Sequence, residues 1–116
     1  MSTRPSWEIL ATRGPLLQNR GAVHVVVRSY SGQGASDVFD LISQREDDVK
    51  DLISGVPGFV SYAAVRTGNG GLTVTVCQDK AGTDESSKRA AGYVKENLSG
   101  SVDPPEVTEG STVIQF

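Results

Sequence analysis

The chain has 116 residues, 37% of them hydrophobic and 22% charged, and a net charge of −3. That suits one compact domain with a modest core and leaves no room for a second. The acidic balance argues against nucleic acid, which would demand clustered Lys or Arg against phosphates.

No run reaches the roughly 18 apolar residues of a membrane span, and the opening MSTRPSWEILATRGPLLQNRG lacks the continuous apolar segment of a secretory signal. A cytoplasmic location without a membrane partner is expected. The single Cys77 excludes an internal disulfide, and the single His24 has no visible co-ligands for zinc, so no metal and no other cofactor is expected. Residues 1–22 carry Arg4, Arg13 and Arg20 against Glu8, about +2, so with a net charge of −3 the remainder carries about −5. They read as a flexible N-terminal extension to a domain at 23–116, or as an arm that docks on a partner subunit through Trp7, Ile9 and Leu10.

Within the domain, VHVVVRSY over 23–30 is β-branched and aromatic, a strand signature ended by SGQG. A first helix is expected over about 37–54. Ser36 can cap it, Asp37 and Asp40 suit its first turn, and Gly55 with Pro57 stops it. Its apolar stripe is Val38, Leu41, Ile42, Val49, Leu52 and Ile53. The second strand covers 59–67. Asn69-Gly70 offers the positive φ angles of a two-residue type I′ turn, which pairs residues whose numbers sum to 139. One hairpin face then carries Phe59, Ser61, Ala63, Val65, Leu72, Val74 and Val76 and is read as core; the other carries Val60, Tyr62, Ala64, Arg66, Thr73, Thr75 and Cys77. A second helix runs from Thr83 or Asp84 to about Leu98, with Ala90, Tyr93, Val94, Asn97 and Leu98 inward. SVDPPEV is a rigid connection, and VTEGSTVIQF closes the chain as a fourth strand.

The order β-α-β-β-α-β predicts an α+β, ferredoxin-like sandwich: a four-stranded antiparallel sheet with two helices on one face. Two helices cover one side only. The opposite side is water-poor, so a second copy is expected to cover it, giving a homodimer.

VPGFVSY, RTGNGGLTVTVCQDKAGTDES and AAGYVKENL together resemble the dimeric α/β-barrel superfamily, specifically antibiotic biosynthesis monooxygenase-like proteins, over about 23–116. The resemblance implies two sheets facing one another in a homodimer. It also implies functions that range from cofactor-independent oxidation of aromatic polyketides to haem degradation. Haem-degrading relatives use a helical histidine with a pocket asparagine and tryptophan; here His24 begins a strand and Trp7 lies in the extension, so that pattern fails. Cofactor-independent relatives use pocket asparagine, tryptophan, tyrosine and arginine, of which this chain lacks a matching tryptophan.

The residues themselves offer four candidates for chemistry: His24, Arg45, Tyr93 and Asn97. Arg45 interrupts the apolar stripe of the first helix, so its guanidinium either reaches water past the core edge or sits at a pocket mouth to bind a carboxylate, phenolate or enolate. Histidine can serve as a general base near neutral pH, but His24 has no visible orienting partner. Tyr93 and Asn97 lie one turn apart, facing the core, as a buried hydrogen-bonded pair or as part of a ligand pocket. Arg28, Arg66, Tyr30 and Tyr62 are expected to make contacts across the dimer, and Cys77 to be a small buried hydrophobe. TGNGG lies in a hairpin, so its glycines are turn chemistry rather than a nucleotide fingerprint. The function expected is a small-molecule-binding protein, with the resemblance implying a cofactor-independent monooxygenase that holds an aromatic or polyketide-like anion by arginine and tyrosine. The alternative is a noncatalytic homodimeric binding or interaction module.

Overall fold

Strand-forming residues and turn glycines partition the chain much as their chemistry dictates. The computed structural model describes residues 22–116; the N-terminal extension with Trp7, Ile9 and Leu10 lies outside the described residues. The elements are β1 (His24–Tyr30), α1 (Ala35–Gln44), α2 (Glu46–Ser54), β2 (Phe59–Thr67), β3 (Gly70–Cys77), α3 (Lys80–Asn97) and β4 (Glu106–Ser111). The sheet order is β2-β3-β1-β4, with every neighbouring pair antiparallel. This is the ferredoxin-like α+β plan, with three helical segments in place of the two expected.

The first helix breaks at Arg45, whose φ of −121° and ψ of 43° leave the helical region. The acidic run explains the break. Glu46, Asp47 and Asp48 occupy the first turn of α2, where exposed N–H groups and the helix dipole favour carboxylates. Two short helices then bury Val38, Phe39 and Leu41 from α1 and Val49 and Ile53 from α2. Ser36 lies inside α1, whose N-cap is Gly34. The last helix starts at Lys80, earlier than expected, because extended Asp79 caps it by accepting a hydrogen bond from the Gly82 amide at 3.0 Å. The fourth strand ends at Ser111, short of the chain terminus.

The hairpin register also differs from expectation. Thr67 pairs with Gly70 and Ala63 with Val74, so partner numbers sum to 137 over Ser61–Thr67. Gly68, with φ of 55°, takes the left-handed position, and the turn is Gly68-Asn69. A shift of two in the sum leaves each residue on the face assigned to it, except near Phe59, where an irregularity sets Phe59 opposite Cys77.

Which face is core is the larger correction. Thr73, Thr75 and Cys77 on β3 are buried beneath the helices together with Val26, Arg28 and Tyr30 on β1, and Tyr62 on β2 is half-buried beside them. The Leu72, Val74 and Val76 side of β3 is only half-buried, and Val65 beside it is exposed. The helices pack close enough to require small residues. A Cβ on Gly71 would meet the Phe39 ring at 2.8 Å and clash with the Val65 carbonyl oxygen. Apolar density alone therefore picked the wrong side, because the helix-facing side is built from small and hydrogen-bonded residues.

Gly71→Ala is expected to destabilise the domain by about 1–3 kcal/mol through overpacking. Gly92→Ala, in α3 where nothing lies within 4 Å of a new Cβ, should stabilise it by about 0.5–1 kcal/mol. Urea denaturation of the two variants checks both signs.

Candidate functional site

β1 places alternate side chains beneath the helices, and the third of these is Arg28, only 2% exposed. Its Nη1 donates to Ser87 Oγ at 2.8 Å and to Ser86 Oγ at 3.3 Å, and its Nη2 donates to Thr75 Oγ1 at 2.8 Å. These acceptors are neutral hydroxyls. Among the described residues no carboxylate pairs with Arg28, and its Nε is buried without a hydrogen-bond partner. The Oγ1 of Thr73, the cross-strand neighbour of Arg28, is likewise buried and unpartnered. Arg28 and Thr73 border a void of about 30 Å³ that also touches Tyr30, Tyr62 and Tyr93.

Arg28 and Tyr30 also form one side of a larger cavity of about 800 Å³. Ala91, Val94 and Leu98 of the α3 side and Val102, Pro105 and Val107 of the closing segment give it apolar walls, while Lys95 and Asp103 bring charge to it. Asp103 is exposed and accepts a hydrogen bond from the Gln33 amide at 3.0 Å. A second cleft of about 750 Å³ lies along β2 between Phe39, Ile42, Val49, Ile53 and Phe59. Its arginine, Arg66, is already neutralised by Asp40 at 2.8 Å. The cavity at Arg28 is thus distinguished by a buried cation that has no acid partner among the described residues.

Burial lowers the Arg28 pKa, opposed by Tyr30, Tyr62 and Cys77, but a guanidinium stays charged at any ordinary pH. Burial likewise raises Tyr30 and Tyr62 above the usual phenol value, outweighing the pull of Arg28. Burial, helped by Asp79, pushes the Cys77 thiol up, and the side chain is fully enclosed. Cys77 is therefore the inert core residue its strand position suggested.

The four sequence candidates do not converge. His24 has an orienting partner after all, Glu109 Oε1 at 2.9 Å, but stands at the sheet end near Lys80, which also reaches Glu109 at 3.4 Å. Arg45 is exposed at the helix break and pairs with Asp48 at 3.2 Å. Tyr93 is half-buried and its hydroxyl bonds to Asp48 at 3.4 Å, not to Asn97. Asn97 is exposed and donates to the Tyr93 backbone carbonyl at 2.9 Å. Arg28, Tyr30 and Tyr62, expected at the dimer contact, instead face the helices, and Arg66 pairs with Asp40 on α1. The signal for Arg28 was present in the alternation Val26-Arg28-Tyr30 and was assigned to the wrong face.

No family model matches the chain, and no curated protein matches it. Solved structures do. The NE2512 protein of unknown function from Nitrosomonas europaea superposes with a TM-score of 0.59 at 16% identity, over 83% of this chain and 93% of that one. The haem degrader MhuD from Mycobacterium tuberculosis gives 0.53 at 12% identity, over 82% and 98%. The cofactor-independent oxygenase SnoaB from Streptomyces nogalater gives 0.50 at 15% identity, over 83% and 95%. The chain shares the ferredoxin-like α+β fold of these structures. Within that one fold, three neighbours with three different descriptions show architecture and leave chemistry to the site.

The site's tyrosines carry a pH signature. Tyr30, Tyr62 and Tyr93, the three tyrosines of the chain, all have pKa values raised above 10.0, chiefly by burial. A raised pKa means stability present below the unfolded-state value and lost as pH climbs through the folded-state value. Ultraviolet titration should show less than half ionisation at pH 10 when folded and about half in urea. Denaturant midpoints should begin to fall above about pH 10. A tyrosine ionising below pH 10 in the folded chain contradicts this.

Proposed function

We propose that the chain is a homodimeric small-molecule-binding protein whose aromatic or otherwise apolar ligand occupies the cavity beside Arg28 and Tyr30. The observation that carries this reading is the cavity itself, about 800 Å³ with apolar walls and a buried arginine and tyrosine on one side. That is the size and make-up of a small-molecule site. Polar groups converging on an open cavity also favour an enzyme over the alternative of a filled, noncatalytic module, although they are not the groups the sequence nominated.

The reaction class that fits is cofactor-independent monooxygenation, supported by the fold shared with SnoaB. Arg28 and Tyr30 would hold the negative charge of the substrate. Dioxygen would be the oxidant: a methylene becomes a carbonyl, one oxygen atom enters the product and the other leaves as water with the two hydrogens.

The dimer is supported by the sheet face opposite the helices. Val25, Val27, Leu72, Val74 and Val76 are half-buried there and Val65 is 45% exposed, a contiguous apolar face of the kind that partner surfaces cover. A second copy would cover it across a two-fold axis. Light scattering is expected to give a dimer, and Val74→Glu a folded monomer; a wild-type monomer at all concentrations overturns this part.

Anthrone, a tricyclic aromatic with an activated methylene, tests the chemistry. Oxygen uptake that depends on the protein and falls by about 100-fold in Arg28→Met is expected. Binding of anthrone without uptake assigns the noncatalytic alternative.

A further inference from the structure

The cavity at Arg28 has a charge imbalance that no described residue corrects. A guanidinium buried to 2% exposure among hydroxyls carries a large desolvation cost unless an anion meets it. The nearest acid on the cavity wall, Asp103, is exposed and bonded to Gln33, and Lys95 on the same wall adds a second positive charge.

Donor geometry narrows what the anion is. Of the five N–H donors of a guanidinium, two on Nη1 and one on Nη2 are spent on Ser86, Ser87 and Thr75. Among the described residues Nε–H has no partner, and the second N–H of Nη2 also remains, with the Tyr30 hydroxyl close enough to bond to the guanidinium. Nε and Nη2 share one edge of the planar fork, the spacing that two carboxylate oxygens match. The unpartnered Thr73 Oγ1 borders, with Arg28, the separate void of about 30 Å³ and not the larger cavity.

We infer that the cavity takes an apolar-bodied carboxylate that arrives already charged, its oxygens turned toward Arg28 and its body against Val94, Leu98, Val102 and Pro105. The inference rests on this cavity being the ligand site, as proposed above, and not on oxygenase chemistry. A neutral phenol fits less well. A phenol, with an ordinary pKa near 10, is uncharged at neutral pH, so a phenolic ligand would leave the guanidinium uncompensated. A carboxylic acid, ordinarily ionised above about pH 4–5, has the margin to stay charged.

The test is calorimetric titration of the full chain at neutral pH with 2-naphthoate, 2-naphthamide and 2-naphthol, which share a bicyclic body and differ in charge. Naphthoate is expected to bind at least about 10-fold more tightly than either neutral compound. In Arg28→Met, with folding checked by circular dichroism, that preference should vanish while naphthamide affinity stays within about 3-fold. The wild-type series stands by itself should the variant not fold. If naphthamide or naphthol binds as tightly as naphthoate, the carboxylate assignment is overturned while the ligand cavity survives. Absence of binding by all three overturns both. Selectivity that persists in Arg28→Met but disappears in Lys95→Gln places the anion at Lys95 and also overturns the assignment.

Discussion

The buried guanidinium of Arg28 is the interaction around which this domain is arranged. It ties β1 to Thr75 on β3 and to Ser86 and Ser87 on α3. A buried cation tolerates only neighbours that can accept its hydrogen bonds, so the surrounding interior is polar: Thr73, Thr75, Thr83 and Ser86 are all buried. Ser86 in turn donates to the Thr83 carbonyl at 2.7 Å, and Thr83 to the Lys80 carbonyl at 3.1 Å, so the first turns of α3 are braced from within.

Away from Arg28 the same helix-facing layer is apolar. Tyr30 meets Phe39 edge to face at 5.9 Å and 78°, in a cluster with Ala35 and Val38, against which Ile42, Val94, Leu98 and Val102 pack. Tyr30 belongs to both halves, since its ring joins this cluster and its hydroxyl lies in the field of Arg28. The larger cavity opens at that seam, where the polar patch ends and the apolar wall begins. Placing polar and small residues beneath the helices also pushes the valine-rich side of the sheet outward, which is the surface the proposed second copy would cover.

Particular residues show how far the sequence could be read. Strand positions were legible wherever β-branched residues ran between turn glycines, and 59–67 was read without error. The break at Arg45 was not, because the stripe Val38, Leu41, Ile42, Val49 continues in helical phase across it while the dipole preference of Glu46, Asp47 and Asp48 acts locally. The hairpin contained two plausible turns one residue apart, Gly68-Asn69 and Asn69-Gly70, and the need for a bare Gly70 against the Tyr30 carbonyl decided between them. Of the candidate site, the strand carrying Arg28 and Tyr30 was legible and their destination was not.

Amino-acid order alone determined the alternation of strands and helices, the ferredoxin-like topology and the pairing of side chains on each face of each strand, because these follow from local propensity and from the two-residue period of a strand. Only the tertiary structure decided which face the helices cover. That choice depends on close approach at Gly71 and on hydroxyls from β3 and α3 meeting one guanidinium, contacts between residues up to 59 positions apart in the chain, and no local pattern encodes them.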